Sequence, residues 1–219
     1  MEEIGVKETL VFMNCTFNIE TLKMTWLVML IVIILSGFGV RKLRVVPAGI
    51  QNVLEIIVEW LGQQSANMMG VKSVVYMPLI TALFAFLLSS NLLGLIPGLE
   101  SPTNDLNTTL SLALLVVCIV HISGLYYHGS GYIGHFFKPY APFVIINVIE
   151  ELAKPITLAF RLFGNILAGE ILIIVLVNLL PLWMPVPSVL WLGFSIFISC
   201  VHAVIFTMLS MAYIGNAVK

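Results

Sequence analysis

Long apolar segments, each about as long as a membrane is thick, follow one another along almost the whole chain. Their approximate bounds are 24–40, 74–96, 106–127, 143–180 and 189–215. An α-helix needs roughly 20 such residues to cross the ~30 Å hydrocarbon core of a bilayer. Only 10% of the 219 residues are charged, whereas a water-soluble domain usually carries about 25%. The chain is therefore predicted to be an all-α integral membrane protein, forming a single membrane domain over residues 1–219.

Residues 47–70, between the first two apolar segments, follow a different pattern. Apolar side chains recur there at helical spacing, at Ile50, Leu54, Ile57 and Leu61. Polar side chains fall largely on the other faces, at Gln51, Asn52, Glu55, Glu59 and Gln63. A helix with one apolar face lies along a membrane surface more readily than across it. We predict about five membrane-embedded helices plus one amphipathic interfacial helix, with the last two embedded helices forming a long tilted hairpin.

The distribution of charged residues predicts how the chain is oriented. The first apolar segment ends at the basic cluster Arg41, Lys42 and Arg44, and basic residues favour the cytoplasmic side. The acidic N-terminal residues are not those of a cleavable signal peptide, so we expect the first segment to be retained. The N-terminus is therefore expected outside the cell and the C-terminus, with Lys219, in the cytoplasm. We expect a multi-pass protein of a bacterial plasma membrane, in contact with lipid.

Several classes of function are excluded by what the sequence contains. The formal net charge is -1, so no nucleic-acid partner is expected. The three cysteines form no CxxC pair, and the histidines do not have the spacing of metal ligands. No phosphate-binding glycine motif and no nucleophile–base pair is present. We therefore expect no cofactor, no metal and no catalytic machinery in this chain.

A stripe of polar residues runs along the fourth apolar segment, with Arg161 near its middle. At about 100° per residue, five polar residues fall within roughly 40° of Arg161, namely Asn147, Glu150, Lys154, Thr157 and Asn165. Glu170 points to the opposite side. The pKa of an arginine, above ~12, keeps it charged, and a charge at the centre of a membrane costs at least ~2.5–3.5 kcal/mol. Arg161 must therefore face an aqueous cavity, a counter-charge, or both.

Two other interpretations of Arg161 stay open at this stage. It could form a structural ion pair with Glu150 or Glu170, or its side chain could extend to the membrane surface. The second interpretation is disfavoured because Arg161 lies far from either end of its apolar segment. A functional role in ion or substrate movement is favoured.

The last apolar segment carries a second polar stripe. It consists of Ser195, Ser199, His202 and Ser210, which share one helical face. Tyr213 lies beside them. The ordinary pKa of histidine, about 6.5, suits proton exchange near neutrality, but a histidine in a membrane helix also serves in packing through a hydrogen bond. Elsewhere, Ser89, Ser90 and Asn91 are expected either to line an aqueous entry or to bond across helices. Asp105 fits a solvated loop equally well.

The run RLFGNILAGE at 161–170 resembles the signature of subunit a of the rotary (F-type) ATP synthase membrane sector. The preceding Lys154-Pro155 pair, the stretch SPTNDLNTT at 101–109 and the terminal run HAVIFTMLSMAYI at 202–214 match that family too. Order, spacing and length agree over nearly the whole chain. The first apolar segment is its least diagnostic part.

The resemblance implies a stator ion channel rather than an enzyme. Subunit a packs against a rotating ring of c subunits, and two aqueous half-channels reach the ring carboxylates from opposite sides of the membrane. An essential arginine separates the half-channels, and Arg161 takes its place. The resemblance also implies a b-subunit peripheral stalk and, indirectly, the soluble ATPase head as partners. The coupling ion, H⁺ or Na⁺, depends mainly on the ring.

Further ion-translocation residues follow from the match. Asn165 and Glu170 stand at the polar positions of the signature, and Asn91 and Asp105 match polar positions near the outer half-channel. Glu150 and Glu151 fall where the family places acidic residues near the inner path. To these predicted ion-translocation residues we add Ser195, Ser199 and His202 of the second polar stripe.

The sequence departs from the family pattern at three of these positions. His202 stands where the family usually has Gln, Ser195 where some bacterial members have His, and Gly94 where some have Asp. These departures leave the arginine mechanism intact and bear only on the detailed polar path. Separately from them, two rival functions stay open. One is a secondary transporter in which Arg161 binds an anionic substrate and the proline-rich break at 180–188 marks a discontinuous helix. The other is a structural scaffold with a buried ion pair.

Overall fold

A computed structural model describes residues 9–12, 15–40, 47, 49–96, 99–129, 131–132, 144–179 and 186–218. Six long helices follow one another: α1 Ile19–Val40, α2 Ile50–Met69, α3 Ser73–Leu93, α4 Leu106–His128, α5 Val144–Leu179 and α6 Val186–Val218. Short 3-10 helices at Gly70–Lys72 and Pro102–Asn104 precede α3 and α4. The predicted all-α architecture is confirmed, and the expected segments differ from these helices by at most a few residues at each end.

Four stretches of the described chain are long and apolar enough to cross a membrane. They are 19–39, 50–93, 106–128 and 189–218, of which the second covers α2 and α3 together. The helix α5 is longer than any of the others, at 36 residues, but carries the charged residues of the first polar stripe. The chain is therefore a multi-pass membrane protein. The residues that predict its orientation, Arg41, Lys42, Arg44 and Lys219, lie outside the described residues.

A short antiparallel hairpin precedes α1 and was not predicted. Its strands are β1 Thr9–Phe12 and β2 Cys15–Asn18, with Thr9 opposite Asn18 and Phe12 opposite Cys15. Each strand has only four residues, which is too few for an alternating pattern to stand out from a mixed sequence. The hairpin leads directly into α1, which begins five residues before the expected start at residue 24.

The centre of the fold is formed by α3, α4 and α6, and α2 packs across one end of it. Leu87, Val116 and Ala203 contribute one fully buried side chain from each of the three central helices. At the α2 end the packing is close: a Cβ at Gly215 of α6 would lie 3.0 Å from the carbonyl oxygen of Met68. Lys72 donates a hydrogen bond to the carbonyl oxygen of Val218 and so ties the start of α3 to the end of α6.

The helix α1 is peripheral. Val28 is fully buried, whereas Trp26 and Ile33 are 67% and 68% exposed. The predicted interfacial segment is a helix, α2, with Leu61, Ser65 and Met69 buried against the core. Its polar residues Glu55 and Glu59 are exposed, as its amphipathic pattern requires. Its position at the membrane surface stays a prediction.

The last two helices form the long hairpin that was predicted. With a rise of about 1.5 Å per residue, α5 and α6 are roughly 54 Å and 50 Å long. Both therefore exceed the ~30 Å hydrocarbon core, so they must tilt or extend beyond it. One side of α5 packs against α4 and buries Leu158, Ala159 and Leu162. The other side has no cover from this chain in the described part, and Ile149, Leu152 and Phe160 are exposed there.

Candidate functional site

A small cavity brings together polar residues from three helices. It measures about 170 Å³ and lies between α3, α5 and α6. Its polar lining consists of Asn91, Asn165, Ser195 and Ser199, and its other walls include Gly94, Gly169 and Trp191. We call this space the Asn91 cavity. Four residues predicted from separate sequence patterns therefore meet at one place.

Asn91 is held in the wall of this cavity by hydrogen bonds from both ends of its amide. The side chain is only 3% exposed. Its Nδ2 donates to the carbonyl oxygen of Ser199 at 3.3 Å, and its Oδ1 accepts from the Thr103 hydroxyl at 3.0 Å. Asn91 therefore lines the cavity and also forms a hydrogen bond across helices, so both interpretations of this residue are present in the structure.

Trp191 also lines the Asn91 cavity, although no sequence pattern predicted it. Its indole Nε1 is buried and has no hydrogen-bond partner among the described residues. A buried donor without a partner costs about 1–3 kcal/mol unless water satisfies it. The Asn91 cavity beside it has polar side chains in its largely apolar wall and is large enough for water. An indole in an apolar run gives no sequence signal of such a role.

A second, larger cavity lies between α4, α5 and α6 near the other ends of these helices. It measures about 670 Å³. Its polar lining consists of His128, Tyr132, Asn147, Glu150, Glu151, Lys154, Tyr213 and Asn216. We call it the Glu150 cavity. His128, Tyr132 and Asn216 were not predicted as site residues. His128 and Tyr132 lie at and beyond the end of α4, and Asn216 lies just past the expected last apolar segment, 189–215.

Charged groups and tyrosines pair within the Glu150 cavity. Lys154 forms an ion pair with Glu151, and its Nζ lies 5.8 Å from the ring centroid of Tyr213. The hydroxyl of Tyr132 is hydrogen-bonded to Nδ1 of His121 at 2.8 Å. Burial, followed by the charge of Glu151, raises the pKa of Tyr132 above its ordinary value. The tyrosine therefore stays protonated at neutral pH, so it can donate and accept a hydrogen bond.

The two cavities share no lining residue, and both polar stripes run from one to the other. On α5 the stripe passes from Asn165 to Lys154, a rise of roughly 16 Å. On α6 it passes from Ser199 to Tyr213, a rise of roughly 21 Å. Arg161 lies in the interval on α5 and lines neither cavity.

Arg161 is exposed at the edge of the buried side of α5. Within the part of the chain that the structure describes, it has no ion pair, so it is not a structural partner of Glu150. Leu158 and Leu162 are buried on one side of it. On its other side the exposed residues are small, namely Thr157, Gly164 and Ala168. A Cβ added at Gly164 would meet nothing within 4 Å. The charge therefore faces away from this chain, beside a shallow surface.

His202 lies between the two cavities on α6. Its Nδ1 is within 2.9 Å of the carbonyl oxygen of Ile198, one turn earlier. Because a carbonyl only accepts, Nδ1 carries the proton of this bond and Nε2 remains free to exchange one when the ring is neutral. The side chain is half-buried and lines neither cavity. Its place in an ion path stays a prediction.

Asp105 lies in neither cavity. Its Oδ1 accepts from the backbone N–H of Asn107 at 2.9 Å and so caps α4. Its Oδ2 accepts from Asn18 at 3.0 Å and from Thr21 at 3.2 Å, both at the start of α1. The carboxylate therefore joins the N-terminal ends of two helices and is not simply a solvated loop residue. Glu170 belongs to α5, but its side chain lies outside the described part.

Over most of its length, the chain is similar to known proteins of one family. Residues 22–215 match the model of a family described as ATP synthase A chain. A protein of Desulforamulus reducens named ATP synthase subunit a is 44% identical over 93% of this chain and 81% of its own length. Proteins of the same name from Moorella thermoacetica and Sulfurihydrogenibium sp. are 38% and 40% identical. The first alignment covers 91% of this chain and 90% of that relative. The second covers 87% and 93%.

Proposed function

Because the chain belongs to the ATP synthase A chain family, we propose that it is the stator ion-channel subunit of a rotary ATP synthase. The subunit is a non-catalytic membrane component, and ATP chemistry takes place on other subunits. The observation that supports the ion path most strongly is a pair of cavities with polar side chains in their walls. They share no lining residue and lie on either side of the exposed Arg161 along α5. We assign the subunit to a bacterial plasma membrane.

We propose that each cavity is part of one aqueous half-channel. In the orientation predicted from the basic residues, the Asn91 cavity faces the outside and the Glu150 cavity faces the cytoplasm. Asn165, Ser195 and Ser199 then belong to the outer path, together with Asn91. Glu150 and Glu151 belong to the inner path, with Lys154 as a neighbouring fixed charge. Asp105 supports the outer entrance by holding α1 and α4 together.

The exposed side of α5 around Arg161 is the proposed contact with the ring of c subunits. The exposed residues next to that charge are small, and the hydroxyl of Thr157 among them donates to the carbonyl oxygen of Ala153 in its own helix. A partner helix can therefore approach closely. A fixed cation there attracts each ring carboxylate in its ionised form. It also opposes direct passage of a cation from one half-channel to the other, because like charges repel.

Rotation follows from alternating neutralisation of the ring carboxylates. An ion entering from one half-channel neutralises a carboxylate, which can then move into lipid at low cost. The carboxylate later reaches the other half-channel and releases its ion. Each elementary charge that crosses the membrane releases about 2.3 kcal/mol per 100 mV. We propose that this energy drives the ring and, through it, ATP synthesis in the soluble head. The coupling ion is H⁺ or Na⁺.

Neither rival function is favoured by the geometry. A scaffold held by a buried ion pair requires a partner for Arg161, and the described residues provide none. A secondary transporter is at odds with the family to which the chain belongs.

The partners are tested first by purifying the tagged chain in a mild detergent and identifying by mass spectrometry what accompanies it. We expect a small hydrophobic ring subunit, a b-subunit peripheral stalk and soluble ATPase subunits. A control purification of an unrelated tagged membrane protein from the same cells removes nonspecific contaminants. If the chain were recovered alone or only with copies of itself, the rotary function would be wrong.

A smaller effect on ATP synthesis is expected for a substitution at His202 in the second polar stripe. We expect His202→Gln to retain at least about half of the ion-driven ATP synthesis, because glutamine keeps a donor and an acceptor in a similar place. The pH profile is expected to change, since the substitution replaces an ionisable imidazole by an amide that has no ionisable group. Both properties are measured in inverted membrane vesicles across pH 5.5–8.5, a range on either side of the ordinary histidine pKa of about 6.5. An assembled but inactive Gln variant would contradict the prediction.

A further inference from the structure

We propose that Ser101 and Thr103 are positioning residues that fix the orientation of the Asn91 amide in the wall of the Asn91 cavity. This inference rests on the proposed function, because it assigns the two hydroxyls a role in the outer half-channel. Both residues belong to the stretch after α3, and neither lines the cavity itself. They act on the path only through Asn91.

The contacts form one continuous buried network. Ser101 Oγ lies 2.7 Å from Thr103 Oγ1, and Thr103 Oγ1 lies 3.0 Å from Asn91 Oδ1. Asn91 Nδ2 in turn lies 3.3 Å from the carbonyl oxygen of Ser199 on α6. Ser101 is 4% exposed and Thr103 is fully buried. Water therefore has little access to the two hydroxyls, so their own bonds decide where their protons point.

The direction of the network follows from counting donors. The carbonyl of Ser199 can only accept, so the amide nitrogen of Asn91 must face it and the amide oxygen must face Thr103. The single hydroxyl proton of Thr103 is then given to Asn91. The 2.7 Å contact between the two hydroxyls consequently requires Ser101 to be the donor.

Ser101 has a competing acceptor, the carbonyl oxygen of Ser90. Its Oγ also lies 3.0 Å from the carbonyl oxygen of Ser90. The same carbonyl accepts from the backbone N–H of Gly94 at 3.3 Å. A carbonyl oxygen can accept two hydrogen bonds, so Ser90 could also take the proton of Ser101. The shorter contact decides between them, because the 2.7 Å contact with Thr103 has no other proton once Thr103 donates to Asn91. The hydrogen bonds run in one direction, from Ser101 to Thr103, to Asn91 and to Ser199.

One amide orientation leaves a defined set of groups for the cavity. A primary amide has two N–H donors and two lone pairs on its oxygen. One donor and one lone pair are used by Ser199 and Thr103, so one N–H and one lone pair of Asn91 remain for water or an ion in the cavity. A flipped amide would place its oxygen against the Ser199 carbonyl, where two acceptors repel. The Ser199 carbonyl therefore selects this orientation, and the hydroxyl of Thr103, which receives the proton of Ser101 and donates its own to the amide oxygen, holds the amide in it.

Close packing keeps the two hydroxyls where they are. A Cβ at Gly94 would lie 2.5 Å from the Cβ of Ser101 and 3.2 Å from its backbone nitrogen. Gly94 ends α3 with an ordinary helical backbone, so glycine is needed here for space and not for an unusual φ. The absence of a side chain at Gly94, where some relatives are expected to have Asp, allows Ser101 to approach the end of α3.

The test is Thr103→Val, which keeps the shape of the side chain and removes the hydroxyl. The assembled complex is reconstituted into liposomes, and ATP synthesis is titrated against the concentration of H⁺, and separately Na⁺, on the Asn91 side. We expect the ion concentration for half-maximal synthesis to rise about tenfold, which corresponds to the loss of one hydrogen bond to a buried group. The maximal rate is expected to change less. Thr103→Ser should restore the wild-type titration, and Ser101→Ala should give a smaller shift in the same direction.

Thr207→Val is the matched control. Thr207 is also fully buried, and its hydroxyl donates only to the carbonyl of Ala203 in its own helix. This variant is expected to titrate as the wild type does. An assembled Thr103→Val complex with a wild-type titration would overturn the proposal. If Thr103→Val failed to assemble, a wild-type titration of assembled Ser101→Ala would overturn it instead. In either case the proposed function would stand, because that depends on Arg161 and on the partners recovered.

Discussion

Replacement of Arg161 by alanine is expected to leave the complex assembled and to reduce ion-driven ATP synthesis by about 100-fold or more. The magnitude follows from the cost of removing one member of a close charge pair, about 3–5 kcal/mol, at about 1.4 kcal/mol per tenfold change in rate. Assembly should survive because the side chain is exposed and has no ion pair among the described residues. The buried neighbours Leu158 and Leu162 are left in place.

Synthesis and assembly are measured separately, by ATP formation in energised vesicles and by recovery of the intact complex in detergent. Arg161→Lys is the matched variant, because it keeps the positive charge but loses the planar group that binds a carboxylate through two hydrogen bonds. We expect it to assemble and to synthesise ATP more slowly than the wild type. Retained synthesis in an assembled Arg161→Ala complex would exclude the proposed role. Loss of assembly in both variants would instead favour the scaffold.

The long apolar segments predicted the helices well because a membrane leaves the backbone few alternatives. Every backbone group must be bonded within the helix in lipid, so apolar segments become helices with few alternatives. The expected segment 106–127 differs from α4, Leu106–His128, by a single residue. The hairpin Thr9–Phe12 and Cys15–Asn18 was missed because it precedes the first long apolar segment and each strand has only four residues.

The candidate site was only partly predictable, because its residues meet through tertiary packing. Helical spacing alone put Ser195 and Ser199 on one face and Asn165 beside Arg161. Their meeting with Asn91 depends on how α3 packs against α6, and no local pattern encodes it. The sequence gives even less indication of which hydroxyl groups are buried and hydrogen-bonded. Ser101 and Thr103 belong to a stretch that resembles a polar surface loop, yet both are buried.

Gly164→Leu is expected to reduce ATP synthesis about tenfold without disturbing the fold of this chain. A Cβ at Gly164 would meet nothing within 4 Å, so a larger side chain has room as far as this chain is concerned. The same side chain would project from the surface next to Arg161, where we propose that the ring packs. Inserting methylenes into a close-packed contact costs about 1–3 kcal/mol, and the displaced carboxylates would meet Arg161 at a greater distance.

Gly37→Leu on α1 is the matched control, because a Cβ at Gly37 also meets nothing within 4 Å. It adds the same apolar side chain to a peripheral helix, away from Arg161. Synthesis and recovery of the ring subunit are compared among Gly164→Leu, Gly164→Ala and Gly37→Leu, and we expect a graded loss at Gly164 and little change at Gly37. Equal, near-normal activity of all three variants would mean that the ring does not approach this side of α5. The exposed charge would then require a different partner, since an arginine facing lipid without one is too costly to maintain.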